Sequence, residues 1–519
     1  MPAGPLCARV AQLCDEVATR LSAPAATRVR RVRRRLDEPL RVAVAGRLKA
    51  GKSTLVNALI GRRVAPTGAG ECTRVVTQFR YGTADRVDVV RRDGTRVPLP
   101  MDDAGMVPRR LGIPQAAISY VDVALTSDRL RDLIVVDTPG LSSATAGISG
   151  GTRRYLFGEP PVDDDLDDAS VAALSAAEAI VYVFTQAVRA DDLAALESFR
   201  SLSARLSSNP VNSLGLFSKV DKLAGGGGDP WPVAAPLVAG QAEVLRRVVS
   251  DVVPVVGLLA ETTEAGRLTD ADTAALRALA ACPAGERAVL LASVDLFVDR
   301  DCPVPAQARR RLLERLDLYG VALAMSHLAA APRSSTGELV RALAQASGFP
   351  RLRQTLDHTF RWRSDAIKAG SAVAGLERVA DTGEPADREL LRGAIEDLVR
   401  LPEYHRLRLL DAAQVVSTGE VPLPPVLEQE LTRLALSDDP AFILGLPTAG
   451  APELGAAARA AAVRWRAFAV ADATPAQSRV ALVAHRGFHL LAQSLQPAAP
   501  GQAGPAPAAG RAAPVWGAP

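Results

Sequence analysis

One octapeptide constrains this chain more than any other feature: Gly46-Arg47-Leu48-Lys49-Ala50-Gly51-Lys52-Ser53. The apolar run 42–45 precedes it and the helical pattern Thr54-Leu55-Val56-Asn57-Ala58-Leu59 follows it. A GxxxxGK[ST] match between a strand and a helix predicts a phosphate-binding loop at the carboxyl end of a buried strand. The glycines let the backbone curl, so its N–H groups converge at a helix N-terminus where negative charge is favoured. Gly46, Lys49, Ala50, Gly51, Lys52, Ser53 and Thr54 are the residues this places around a nucleotide's phosphates. Lys52 can reach the β- and γ-phosphates, and the Ser53 hydroxyl can bind Mg²⁺.

A nucleotide hydrolase also needs a carboxylate on the metal side and a sensor of the γ-phosphate. Asp137-Thr138-Pro139-Gly140 ends the apolar run 133–137 and supplies both. Asp137 is expected to hold Mg²⁺ through water, and the Gly140 N–H to bond the γ-phosphate. Ser218-Lys219-Val220-Asp221 ends another apolar run. A carboxylate at Asp221 can accept from guanine N1–H and N2–H₂, a donor pair adenine lacks, so the expected nucleotide is GTP. The Lys219 stem is expected over the base. Ser218 stands where most GTPases carry Asn or Thr. Between the two phosphate motifs lies the polar, glycine-rich stretch 66–74. Its Thr67 and Thr73 are both candidates for a switch hydroxyl on Mg²⁺, with Thr73 favoured because a strand-like run follows it directly.

The surroundings fit such a site. Apolar, β-branched runs at 41–45, 75–81, 118–125, 133–137, 180–185, 213–218 and 252–257 alternate with helical stretches. That alternation predicts an α/β domain with a mostly parallel sheet and helices on both faces, over residues 39–265. Asp93-Gly94 reads as a hairpin turn. Residues 1–38 read as helix, interrupted near Pro24. From 266 to 495 Ala/Leu/Arg-rich helical spacing predicts an all-α bundle, broken near Pro303, Pro350, Pro402, Pro422, Pro447 and Pro475. Residues 496–519 are almost all Ala, Pro and Gly and are expected to be disordered.

Composition excludes several classes. A net charge of +4 over 519 residues makes no case for nucleic acid. The five cysteines have neither zinc-site nor disulfide spacing and read as free thiols of a reducing cytosol. No signal-peptide pattern is visible, and no apolar run reaches the roughly 18 residues a spanning helix needs, so any membrane contact is expected to be peripheral. The Arg28–Arg35 cluster has two readings, a solvated helix face and a contact with anionic lipid. Trp362 and Trp465, each flanked by arginines, are equally open between helix packing and a membrane interface. The histidines, His485 and His489 included, read as structural or surface residues.

These four elements in this order resemble the dynamin superfamily of large GTPases. Cys72-Thr73-Arg74-Val75-Val76 is similar to the dynamin T-R switch, which supports Thr73. The stretches 36–46, 48–59, 253–260 and 291–295 look like the isoniazid-inducible dynamin-like proteins of actinobacteria. The resemblance implies a GTPase head, a helical neck or trunk with which the N-terminal helices 1–38 pack, and nucleotide-dependent self-association through head-to-head contacts. It implies work at the inner face of the cell membrane, often beside a second dynamin-like protein. Two departures bear on catalysis. Leu48 stands where dynamin carries its catalytic Gln, and Leu141 is apolar where Ras-like enzymes carry one. Lys49 occupies the position of an arginine finger in guanylate-binding proteins and can offer charge without the guanidinium fork. Lys52, Thr73 and Lys49 are therefore the catalytic candidates, and Ser53, Thr73 and Asp137 the metal ligands. Three functions stay open: an assembling, membrane-acting GTPase; a low-activity GTP-binding partner of a second dynamin-like protein; and a ribosome- or RNA-associated GTPase.

Overall fold

The computed structural model describes residues 4–47, 49–67, 75–138, 177–189, 192, 193, 196, 212–224, 228–246, 248–357, 360, 364–400, 404–417, 419, 421–471 and 473–495. Leu48, Thr73, Gly140, Leu141, His358, Trp362 and the segment 496–519 lie outside them. The chain divides into two compact units, Met1–Leu407 and Arg408–Pro519.

The first unit is built on a nine-stranded sheet: β1 Leu40–Gly46, β2 Thr77–Tyr81, β3 Arg86–Arg91, β4 Arg96–Leu99, β5 Ile118–Leu125, β6 Leu133–Asp137, β7 Ala179–Phe184, β8 Ser213–Ser218 and β9 Val252–Val255. Their spatial order is β4-β3-β5-β2-β6-β1-β7-β8-β9. Strands β6, β1, β7, β8 and β9 run parallel. Strand β2 is antiparallel to β6, and β3 is antiparallel to β5 and β4. The β3–β4 hairpin turns at Asp93-Gly94, where Gly94 has φ 82° and Asp93 Oδ1 accepts from the Thr95 N–H at 2.8 Å.

The central strands are apolar throughout because both their faces are covered. Val42, Val44, Val181 and Val183 face a core shared with helix α3, Lys52–Ile60. Ala43, Ala45, Ile180, Tyr182 and Phe184 face the other core. That second core draws in residues well past 265. Helices α4 Trp231–Leu245, α5 Gly257–Glu264, α6 Asp270–Ala280, α7 Ala284–Leu290, α8 Val294–Asp299, α9 Ala306–Ala330 and α10 Thr336–Ala346 follow the middle of the sheet in sequence. Leu276, Leu312, Val321, Leu339 and Leu343 join Phe184 and Phe217 in one apolar cluster.

At the chain's start, α1 Pro5–Ala18 and α2 Ala23–Arg35 pack on α12 Ser364–Thr382, which follows α11 Phe349–Leu356. Pro24 opens α2, in the first turn where a missing N–H costs nothing. Neither helix caps its own N-terminus. Asp365 accepts from the N–H groups of Leu6 (3.0 Å) and Cys7 (2.9 Å). Asp387, on α13 Pro385–Arg400, accepts from the Ser22 N–H (3.0 Å) and Oγ (2.6 Å). Lys368 Nζ donates to the carbonyls of Leu36 and Glu38 just past α2, each at 2.6 Å. Much of the arginine cluster is used inside this unit: Arg28 bonds Thr382, Arg33 pairs with Asp15 and Asp37, and Arg35 pairs with Glu178. The apolar stretches 320–325 and 366–376 are largely core.

Helix α14, His405–Ser417, spans the boundary between the units. The second unit holds α15 Pro425–Leu436, α16 Pro440–Leu444, α17 Ala451–Ala471 and α18 Pro475–Ser494. Trp465 is fully buried here, so of its two readings the structure takes packing. Its indole donates to Glu430 at 3.0 Å, and the other Glu430 oxygen holds Arg464 at 2.6 Å. His485 Nδ1 lies 2.9 Å from the Ala462 carbonyl, and His489 Nε2 lies 3.2 Å from Gln493. Among the described residues no helix is long and apolar enough to cross a membrane, and no group of three or more His, Cys, Asp or Glu is placed to hold a metal.

Candidate nucleotide site

Strand β1 ends at Gly46, whose φ is 140°. A methyl group built there would lie 2.1 Å from the Val183 carbonyl oxygen, so the turn out of β1 passes β7 at a distance only glycine tolerates. Gly51 has φ 99° and is the N-cap of α3; a methyl there would stand 3.1 Å from Ser218 Oγ. Lys49 is exposed in a left-handed conformation, φ 63°, and Ala50 is buried. Within the loop Lys52 Nζ donates to the carbonyls of Gly46 (3.0 Å) and Arg47 (2.8 Å).

Ser53, on the first turn of α3, donates through Oγ to Asp137 Oδ2 at 2.9 Å. Strands β1 and β6 are parallel neighbours with Val44 opposite Asp137, which is why two residues 84 positions apart meet. Thr138 closes the corner by donating through Oγ1 to the Val44 carbonyl at 2.9 Å. Burial pushes the Asp137 carboxyl up to about 6, against the opposing influence of Lys52 and the Ser53 hydroxyl. Burial likewise lowers the Lys52 ammonium, with Asp137 acting the other way. Both shifts have one cause, burial, which the opposite charge facing each group offsets only in part. A hydroxyl and a carboxylate side by side form the oxygen donor set that suits Mg²⁺, which takes one or two protein ligands and fills its shell with water and phosphate oxygens.

At the far side of the loop, β8 delivers Ser218, buried, followed by Lys219 in a left-handed conformation (φ 60°) and Asp221 in a short 3₁₀ turn, Val220–Lys222. Burial raises the Asp221 carboxyl, Lys222 opposes that rise and Asp317 adds to it. The structure thus brings Gly46, Lys49, Ala50, Gly51, Lys52, Ser53, Thr54, Asp137, Ser218, Lys219 and Asp221 to the carboxyl ends of β1, β6 and β8. Thr67 is half-buried at the end of a described segment. Thr73 and Gly140 lie outside the described residues.

Reading the sequence alone misses four participants. Arg47, inside the loop, donates through Nε at 2.8 Å to Asp192, a buried carboxylate that also accepts from Tyr182 Oη (2.6 Å) and the Arg189 N–H (2.9 Å). Asn57, fully buried on α3, accepts from the N–H groups of Val64 (2.9 Å) and Ala65 (2.8 Å) and donates to the Ala65 carbonyl (2.9 Å) and Glu261 (2.8 Å). It thereby ties the phosphate-loop helix both to the segment leading toward 66–74 and to α5. Gly257, the residue that opens α5 after β9, lies in ordinary contact range of Thr54 and Ser218, its added methyl 3.7 and 3.9 Å away. A lone glycine directly after an apolar run was the one signal available for it. Asp317 reaches the Asp221 turn from α9.

Against known proteins, the description "Dynamin family" matches residues 42–209, a span that includes both phosphate motifs. The isoniazid-induced protein IniC of Mycobacterium tuberculosis is 35% identical over 446 residues, 84% of this chain and 86% of that protein. The chain belongs to the dynamin family. Other relatives match over shorter stretches. The isoniazid-induced protein IniA of the same organism is 36% identical over 138 residues, 23% of this chain and 21% of its own. The bacterial dynamin-like protein of Nostoc punctiforme is 32% identical over 120 residues, 20% and 17%. Dynamin-family proteins are GTPases, so the ligand of this loop set is a guanine nucleotide.

Proposed function

We propose that this chain binds GTP with Mg²⁺ and hydrolyses it, and that turnover depends on association of heads at a membrane surface. The observation that carries the chemistry is the Ser53–Asp137 pair beside Lys52, within a loop whose Gly51 abuts Ser218 of the base-recognition strand. Lys52 binds the β- and γ-phosphates, leaving its own loop carbonyls to do so, and Ser53 and Asp137 hold the ion. When bound, Mg²⁺ neutralises charge on the β- and γ-phosphate oxygens. Asp221 accepts from the guanine edge, Lys219 covers the base, and Ser218 sits beneath the phosphate-loop turn. Thr73 supplies the switch hydroxyl and Gly140 the N–H that senses the γ-phosphate. Leu48 and Leu141 cannot orient water, so the charge that completes the site is assigned to Lys49, exposed at the rim, and to a second head.

The family resemblance supports self-association, a second dynamin-like partner and a peripheral position at the inner membrane face. The same apolar Leu48 and Leu141 favour a second reading, in which the head holds GTP, turns it over very slowly and regulates a partner. GTP hydrolysis measured over a range of protein concentrations, with and without anionic liposomes, separates the two. ATP and Lys52→Ala serve as controls. Turnover per molecule that rises with concentration or liposomes and is lost in Lys52→Ala supports the first. Tight GTP binding with flat, negligible turnover supports the second. Hydrolysis of ATP at an equal rate overturns the base assignment.

A further inference from the structure

Helix α9 is one of the longest in the chain, yet its backbone leaves helical geometry at one residue, Asp317, with φ 54° and ψ 179°. A non-glycine residue at positive φ is uncommon and is kept where neighbours over-determine it. Here the neighbours are identifiable. The Leu318 N–H, just past the break, donates to Asp317 Oδ1 at 2.6 Å. On the preceding turn the Arg315 carbonyl accepts from the Thr262 hydroxyl of α5. On the following turn Gly320 lies so close to Leu259 of α5 that a methyl would stand 2.5 Å from its side chain. The break is thus clamped on both sides to the helix that opens at Gly257, against Thr54 and Ser218.

What the break delivers is the second carboxylate oxygen of Asp317. It accepts from Lys222 Nζ at 2.6 Å, while the same ammonium stands 3.7 Å from Asp221 Oδ2. Lys222 is placed between two carboxylates and is held by the one that does not face the base. Without Asp317, no other carboxylate among the described residues pairs with Lys222 to keep it from closing on Asp221. A carboxylate bound by its own neighbour's ammonium is a poorer acceptor for two ligand N–H groups, because the charge-assisted bonds it would make are partly spent.

We propose that Asp317 is a positioning residue for base recognition: it draws Lys222 away from Asp221 and so leaves the Asp221 carboxylate free to accept from the guanine N1–H and N2–H₂. The inference rests on the assignment of Asp221 to the base. It makes residues 316–318 of α9 part of the nucleotide site although they touch no nucleotide. It also links the base turn to a helix that runs on through the head.

The test is equilibrium binding of fluorescent GDP, with competition by GTP, ITP and XTP, on the full chain. ITP lacks the N2 amino group, so the GTP-to-ITP affinity ratio reads the Asp221 contact. Asp317→Asn keeps an oxygen for the Leu318 N–H but releases Lys222. Guanine affinity is expected to fall about twofold to fivefold, the range of a partly exposed ion pair, and the GTP-to-ITP ratio to fall with it. Lys222→Met alone is expected to leave both near their starting values. Asp317→Asn with Lys222→Met is expected to regain them, a rescue that a purely structural role for Asp317 does not give. Thermal unfolding of each variant verifies the fold. An unchanged ratio in Asp317→Asn, or a double variant as weak as the single, overturns the inference. Asp221→Asn is the separate control, expected to exchange GTP preference for XTP. If guanine preference survives in it, the base assignment itself falls.

Discussion

Removing the carboxylate of Asp192 should loosen the phosphate loop from beneath. Asp192 is 1% exposed and accepts hydrogen bonds from Arg47 Nε, Tyr182 Oη and the Arg189 N–H. In Asp192→Ala the Arg47 guanidinium loses this ion pair, and Arg47 Nη2 is already buried with no acceptor among the described residues. Breaking a buried pair by deleting one partner costs about 3–5 kcal/mol. Arg47 keeps 23% exposure and can turn toward water, so the lower end applies, about 3 kcal/mol in all. Arg47→Met leaves the carboxylate with two donors and should cost about 2 kcal/mol. The two losses share one interaction, so the double variant should cost clearly less than their sum, with a coupling of about 1–3 kcal/mol. Native-state hydrogen exchange at the β1 and β7 amides reads these values locally, which suits a chain of two units better than a global melt. GTP affinity should fall in the same order. Additive losses, or a cost below about 0.5 kcal/mol for Asp192→Ala, would refute the reasoning.

Three further outcomes follow from other buried polar groups. Asn57→Ala strands two N–H groups and the Ala65 carbonyl and takes one donor from Glu261, and should destabilise the head by about 3–4 kcal/mol, with hydrogen exchange rising first at Val64 and Ala65. Trp465→Phe takes the indole donor from Glu430 and should lower the second unit's stability by about 1–2 kcal/mol, whereas Trp465→Phe with Glu430→Leu should cost less than the single change. Burial alone would raise the Asp122 carboxyl, but Arg80 and Arg96 outweigh it and hold it below the ordinary carboxylate range. The stability it contributes is therefore complete above about pH 4 and lost as pH falls through the lowered value, so Asp122→Asn should flatten the acid limb of a stability-versus-pH curve and leave its slope above pH 5 unchanged.

The sheet was legible because its strands carry a local signal. Residues 118–125, 133–137 and 213–218 are largely apolar, and the strands found there begin and end where the runs do. The site elements were legible for a related reason: phosphate and base recognition use backbone turns at strand ends, which leave glycines and a few fixed polar residues in short words. What lay beyond reach depends on long-range register. Leu276 and Leu343 have the same helical spacing as any bundle residue, and nothing local says that their partner is Phe184 or Phe217 of the sheet. Asp192 sits in a stretch with no period, and only the parallel β1–β7 pairing sets it beneath Arg47. Asp317 interrupts a helix whose sequence pattern gives no warning, because the break is held by Thr262, Leu259 and Lys222 from elsewhere. Trp465 between two arginines had the profile of an interfacial residue until Glu430, 35 positions away, was placed beside it.

The capping of the first two helices carries a consequence for how the chain is made. Leu6 and Cys7 wait for Asp365, and Ser22 waits for Asp387, across 359, 358 and 365 residues. On a ribosome those helices emerge before the groups that satisfy their amino ends, which follow the strands β1 to β9. Each missing cap leaves a helix weaker by about 1 kcal/mol, and an isolated helix of 13 or 14 residues is marginal in water even when capped. Helices α1 and α2 therefore stay unfixed while the sheet is made, and the first unit closes only when α12 and α13 have left the exit tunnel. A chain stopped at residue 360 would carry β1 to β9 and still leave α1 and α2 without the carboxylates that hold their amino ends.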